Sequence, residues 1–290
     1  MAAGRRARVV AAAATVVLVA TVAGCSGAED PPVAVPTIGA GPPPPAAPPT
    51  GQPVPQAVPV YYVAETESGP RLYREFHRIT TADPATDAVL EMLAGPTGVD
   101  PDYRSHWPPG AGLADPVTAA DGTITVDLTG VGSARVGTEL AHLTVQQLVF
   151  TVQGALQSTD PVRLLVDGEP VEELWGAVGT AEPVARGDAY ALRSLVQIDE
   201  PAEGAEVGRE VEVTGEAAVF EATVRWEVLR DGEVVESGFT TTAEGQRFAP
   251  YSFTVRLARA GEYTVRVSED DPSDGEGRPP LTDDKTITVT

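Results

Sequence analysis

Cys25 is the only cysteine among 290 residues, and it stands directly after Val22-Ala23-Gly24. One thiol cannot close a disulfide within the chain, and a zinc–thiolate site needs several. The other reactive side chains are scattered. His77, His106 and His142 fall in three separate segments, and none has a neighbour at the spacing of an HExxH metal site. No GxSxG elbow is present, and an SxxK nucleophile motif is excluded because the only lysine is Lys285. Residue type cannot single out a glycosidase-like carboxylate pair among 42 acids. One loop, Ser268 to Asp284, gathers Asp270, Asp271, Asp274, Glu276, Asp283 and Asp284. Clustered oxygens could hold calcium there, although the ligand order of an EF-hand is missing. An acid-rich surface loop is the competing reading. The sequence therefore offers no catalytic residue, no metal ligand set and no cofactor site.

The elements around Cys25 explain its position. Arg5, Arg6 and Arg8 form a basic stretch, Val9 to Ala23 carries no charge, and small residues lead to the cysteine. That order is a secretory signal peptide over residues 1–24. Val22-Ala23-Gly24-Cys25 resembles the lipobox of bacterial lipoproteins. The resemblance implies a diacylglyceryl group on the Cys25 sulfur, cleavage just before Cys25, and a place on the outer face of the cell membrane. Each buried methylene contributes about 0.8 kcal/mol, so two or three acyl chains hold firmly where one would exchange. An ordinary cleaved signal and an uncleaved anchor are the competing readings; the run is short for a spanning helix, which wants about 20 apolar residues. Arg5-Arg6 also hints at twin-arginine export, but its flanks fit poorly.

From Pro31 to Pro59, 12 of 29 residues are proline. Such a stretch favours extended polyproline II and lacks the apolar bulk for a core. Residues 25–56 are therefore expected to be a disordered tether, reaching up to roughly 90 Å at about 3.1 Å per residue. A docking site for a proline-binding module is the alternative. The formal net charge is -22, with acids in excess on both sides of residue 195. No basic patch exists to meet nucleic acid, and an anionic bilayer surface would repel the folded part.

Residues 57–190 read as a mixed α+β domain. Ala57 to Thr66 alternates like a strand, Ser68-Gly69-Pro70 is a turn, and Arg71 to Ile79 pairs back. Asp83 with Pro84 opens a helix whose stripe is Val89, Leu90 and Leu93, and Gly95-Pro96 closes it. Ala120-Asp121-Gly122 is the turn of a hairpin, after which Ile124, Val126 and Leu128 point one way. Gly137 to Leu156 is a second helix with Ala141, Val145, Leu148, Val152 and Ala155 on one face. Gln147 and Thr151 within it are expected to serve packing or buried polar needs. The strand VRLLV follows, then a turn at Asp167-Gly168. This order, with the AGP, TITVDLTG, VQQLVFTVQ and VRLLVDGEPV segments, resembles the GerMN domain of sporulation and spore-germination proteins. The resemblance implies a compact α+β fold in the cell envelope and supplies no catalytic residue.

Residues 195–290 show no helical period. Val211/Val213, Val224/Trp226/Val228, Phe253/Val255/Leu257, Tyr263/Val265/Val267 and Ile287/Val289 each alternate with polar residues, and Arg230-Asp231-Gly232-Glu233 is a hairpin turn. Seven short strands with one tryptophan in an early strand indicate an immunoglobulin-like sandwich that has no disulfide. The segment IDEPAEGAEVGREVEVTGEAAVFEATVRWEV resembles the immunoglobulin-like domain of bacterial spore germination. The fold class expected is thus α+β followed by an all-β sandwich. Taken together, the resemblances imply a non-enzymatic, lipid-anchored envelope protein that binds or scaffolds an envelope protein or peptidoglycan. A wall hydrolase with an unrecognised carboxylate pair is the alternative, and a solute-binding lipoprotein is a weaker one because the sandwich supplies no second α/β lobe. Oligomeric state is not legible.

Overall fold

The computed structural model describes residues 52–132, 136–270 and 277–290. Cys25, the signal segment and nearly all of the tether lie outside the described residues. Strands β1 (Val54–Ala64) and β2 (Arg71–Thr81) form an antiparallel hairpin, followed by helix α1 (Pro84–Leu93). Two short strands, β3 (Gly112–Leu113) and β4 (Thr118–Ala120), both pair with β5 (Thr123–Thr129). Helix α2 (Thr138–Leu156) then crosses over to β6 (Val162–Val166), which lies parallel to β5. Parallel neighbours need such a crossover, and the helix supplies it. β7 (Glu169–Pro170) folds back on β6, a two-residue ladder joins β8 (Glu173–Leu174) to β9 (Val178–Gly179), and α3 (Ala189–Leu192) ends the half.

β1 is buried on both faces, which is why its sequence VPVYYVA is almost continuously apolar. Val58, Val60 and Tyr62 enter the main core with α1, β5, β6 and one side of α2. Tyr61 and Val63 enter a second cluster with Leu72, Leu143 and Phe150 from the other side of α2. The helix face expected from the sequence is buried, and so is much of the remaining circumference.

Two expectations need correction. The tether ends before residue 56: Val54, Pro55 and Gln56 pair with Thr81, Thr80 and Ile79. Proline is tolerated because a two-stranded ribbon is all edge. In α1 the stripe is Ala85, Ala88, Val89 and Met92, whereas Leu90 is 44% exposed. The Asp83 cap holds as expected, accepting from the Thr86 amide at 3.2 Å.

The second half is a two-sheet sandwich. β10 (Val196–Glu200), β12 (Glu210–Ala217) and β15 (Ala249–Arg256) make one sheet in the order β10-β12-β15. The other runs β11-β17-β16-β13-β14, from β11 (Glu206–Val207), β13 (Thr223–Arg230), β14 (Glu233–Thr241), β16 (Gly261–Glu269) and β17 (Thr282–Val289). Asp121/Gly122 and Asp231/Gly232 all have positive φ, as the tight hairpin turns at those dipeptides require. Trp226 on β13 stacks on Phe253 of β15 across the sandwich, with ring centroids 4.9 Å apart and planes 7° apart. Both rings are partly buried and pack against the core of the sandwich.

Candidate functional site

The densest concentration of buried charge lies where the two halves meet. β2 supplies Tyr73, Arg74 and Glu75, the loop after α1 supplies Asp100 and Tyr103, β10 supplies Ile198 and Asp199, and β17 supplies Asp283 and Lys285. Period-two geometry sets the last pair. Asp283, Lys285, Ile287 and Val289 share the inward face of β17, and the two charged residues occupy the end nearest the first half.

Lys285 is 2% exposed. Its Nζ donates to Asp100 Oδ2 at 2.6 Å, to the Tyr103 hydroxyl at 2.7 Å and to Asp283 Oδ1 at 3.1 Å. All three ammonium protons thus have an acceptor. Tyr103 donates to Asp283 Oδ1 at 2.6 Å, and Asp283 Oδ2 accepts the Ile198 amide at 2.6 Å. The ammonium also lies 4.1 Å from the centre of the Tyr103 ring. Burial alone would push the Lys285 pKa down, but the charges and hydrogen bonds of Asp283 and Asp100 hold it above the ordinary lysine value. Burial raises Asp283 against the pull of Lys285, and burial beside Asp283 drives the Tyr103 phenol far upward. A lysine held protonated and fully bonded is a structural bolt and no nucleophile; an amine base needs the opposite shift.

Around this centre runs a shell of arginine pairs. Arg74 grips Asp199 with contacts of 3.0 and 2.7 Å from Nη2, and reaches Glu216 at 3.4 Å. Arg193, in the connection between the halves, pairs with Glu216 at 2.6 Å and lies 4.0 Å over the Phe248 ring. The Ser194 amide bonds to Leu72 O at 2.9 Å, so the connecting segment is itself strapped to β2. Tyr73 donates to Thr282 O at 2.8 Å. A cavity of about 30 Å³ remains between Arg74, Glu75, Asp199, Glu203 and Lys285, room for about one water.

A second relay leads into the bolt. Glu75 accepts the amides of Val99 at 3.0 Å and Asp100 at 2.7 Å, and so fixes the loop that delivers Asp100 to Lys285. His77 bridges Glu75 at 3.2 Å and Glu91 of α1 at 2.9 Å. Desolvation works against protonation of His77, but hydrogen bonds to both glutamates outweigh it and raise its pKa. Glu75 is lowered despite its burial, by His77 and the two amides.

The three histidines are not brought together. His77 is in this relay, His106 sits half-buried in a loop with its pKa lowered by desolvation, and His142 is exposed on α2. Nor do the described acids of 268–284 form one cluster. Asp270 pairs with Arg225, Asp284 with Arg266, and Asp283 belongs to the buried bolt, while Asp271, Asp274 and Glu276 lie outside the described residues. Among the described residues no group of three or more His, Cys, Asp or Glu could hold a metal. Thr151 accepts the Tyr61 amide at 3.0 Å, the buried polar need expected of it, whereas both amide atoms of Gln147 are buried with no partner in the structure. Sequence reading missed the bolt. Its signal was parity: the alternation of Ile287 and Val289, carried back along β17, turns Lys285 and Asp283 inward.

Two family models match the chain. One, described as sporulation and spore germination, covers residues 59–172; the other, the immunoglobulin-like domain of bacterial spore germination, covers residues 195–276. Among solved structures, the tandem GerMN domains of the sporulation protein GerM from Bacillus subtilis are 23% identical, with 46% of this chain and 45% of that chain covered and a TM-score of 0.36. The chain thus spans less than half the length of that structure. Fibronectin(III)-like modules of CbhA from Clostridium thermocellum are 20% identical, with 32% and 93% covered and a TM-score of 0.24. No curated protein matches the sequence.

Proposed function

Because the chain belongs to the sporulation and spore germination family through residues 59–172 and to the immunoglobulin-like family of bacterial spore germination through residues 195–276, we propose that it is a non-enzymatic scaffold of the bacterial cell envelope. Acyl chains on Cys25 anchor it to the outer face of the membrane, and the proline-rich segment spaces the folded body outward toward an envelope protein or the peptidoglycan. The observation that carries this reading is the Lys285 bolt. It spends the buried ionisable groups of the junction on one another and ties a GerMN-type domain to an immunoglobulin-like one in a single orientation. A fixed pair of domains presents a composite surface at low ordering cost, which suits a binding partner. The strongly acidic composition favours a partner with basic surface.

Two measurements on the same cells test the reading. Labelled fatty acid is expected in the native chain and not in Cys25→Ser, which should leave the membrane fraction. Incubated with purified peptidoglycan, the protein is expected to release no soluble fragments. Fragment release would establish a wall hydrolase instead, and membrane retention of Cys25→Ser without label in the native chain would remove the anchor.

A further inference from the structure

Lys285 faces two buried carboxylates rather than one, Asp100 at 2.6 Å across the junction and Asp283 at 3.1 Å on its own strand. Tyr103 closes the site with its ring centre 4.1 Å from the ammonium, and all four residues are buried. An ion pair alone could use any cation, and every other strongly basic residue of the chain is arginine. Only a primary amine is readily acylated to a stable amide, and the chain keeps its single lysine at this point.

From this constellation we infer that Lys285 Nζ and Asp100 Cγ become joined by an amide bond, a cross-link that the folded chain forms on itself with loss of one water. The distances suit it. For a hydrogen bond of ordinary angle, the carbon behind Asp100 Oδ2 lies about 3.4 Å from Nζ, within the near-attack range of about 3–3.5 Å. Lys285 cannot attack while it holds three protons, and Asp283 is the group that takes one. Burial raises the proton affinity of Asp283, and its Oδ1 already accepts from Nζ. The freed lone pair adds to Cγ, and the new C–N bond pushes electrons onto Asp100 Oδ1. The Asp102 amide, 2.9 Å from that oxygen, holds the developing charge. Asp283 then passes its proton to Oδ2 and relays a second from the nitrogen, so the bond from Cγ to Oδ2 breaks and Oδ2 leaves as water. The amide keeps the third proton, nothing is oxidised or reduced, and the two charges of the pair cancel. The cavity of about 30 Å³ that Lys285 borders has room for the water released. Open water favours the separate groups, but a preorganised pair has an effective concentration of about 10⁵–10⁸ M, and this site is closed to bulk water. The link would tie the loop after α1 to β17 across 185 residues. The inference stands on the junction alone and needs neither the anchor nor the wall partner.

Peptide mass spectrometry of the native full chain tests it. The protein is incubated at neutral pH, unfolded, and cut with an arginine-specific protease. The peptide of residues 79–104, which contains Asp100, is expected joined to the C-terminal peptide that contains Lys285, one water lighter than the two together. Trypsin should leave the acylated Lys285 uncut. Lys285→Arg should give the two peptides separately. Asp283→Asn, checked for folding by its tryptophan fluorescence, keeps both reacting groups and should yield at most a tenth of the native amount of joined peptide; an undiminished amount would overturn the part given to Asp283. Separate peptides from the native chain after prolonged incubation overturn the inference. So does a lost water placed elsewhere, as a Lys285–Asp283 link within one peptide or a succinimide at an Asp-Gly pair.

Discussion

Lys285→Met removes the ammonium while keeping the length of the side chain. Asp100, 4% exposed, and Asp283, 5% exposed, are then left buried near each other without a counter-charge. Breaking a buried ion pair by deleting one partner costs about 3–5 kcal/mol. For a body of this size that is roughly 6–20 °C of unfolding temperature. The assay is urea unfolding followed by tryptophan fluorescence at pH 7.5, with Trp107 and Trp175 in the first half and Trp226 in the second. The pH dependence gives a sharper check. Asp283 already has a raised pKa from burial, and losing Lys285 raises it further. A carboxyl raised in the folded state adds stability that is complete below its unfolded pKa and is lost as pH rises through the folded value. The defect of Lys285→Met should therefore shrink as the pH falls from 7.5 to 5, because protons replace the missing charge. Lys285→Arg keeps the charge and should recover little, since a planar guanidinium cannot reproduce three diverging ammonium contacts. A loss below about 1 kcal/mol, or one indifferent to pH across that window, would refute the bolt.

The His77 relay has its own pH signature. His77 is raised, so its contribution is complete below about pH 6.5 and fades as pH rises through its folded pKa, while the lowered Glu75 contributes above about pH 4.5. The urea midpoint of the native chain is expected to climb from pH 8 to pH 6, and His77→Gln should flatten that climb; an unchanged slope refutes the relay. Gly215 on β12 has no room for a side chain, because a Cβ there would strike the Gln197 carbonyl oxygen and the Tyr251 hydroxyl. Gly215→Ala is expected to cost about 3 kcal/mol in the same unfolding assay, and a neutral result would show that β10 and β12 can part without penalty.

What the sequence revealed and what it hid follow from the range of each signal. Local chemistry was legible: the Asp83-Pro84 helix start, the Asp-Gly turns at 121–122, 167–168 and 231–232, and the strand alternation all act over a few residues. The burial of β1 on both faces was legible in principle, since Tyr61 and Tyr62 are consecutive and both are buried. Leu90 was misassigned because a helix stripe can be read at adjacent phases, and small residues such as Ala85 and Ala88 carry little hydropathy although they pack at 1% and 0% exposure. The bolt was hidden for a different reason. Asp100 and Lys285 are 185 residues apart, and nothing local in either segment announces the other.

The choice of cation at the junction bears on how the protein works. Lys285 is the only lysine among the 20 basic residues of the chain, so arginine is the default and lysine the exception. The neighbouring sites follow shape. Arg74 presents a flat fork to the two oxygens of Asp199, and Arg193 spreads its plane over Phe248. Between Asp100, Asp283 and Tyr103 the acceptors diverge from one point, and only an ammonium donates in that pattern. A buried cluster of this kind contributes little net stability compared with apolar packing, yet it is costly to break. Such an arrangement penalises every other relative placement of the two halves more than it deepens the native one. Orientation is therefore what the bolt secures. On the scaffold role proposed above, a surface spanning two domains needs that property more than it needs extra stability.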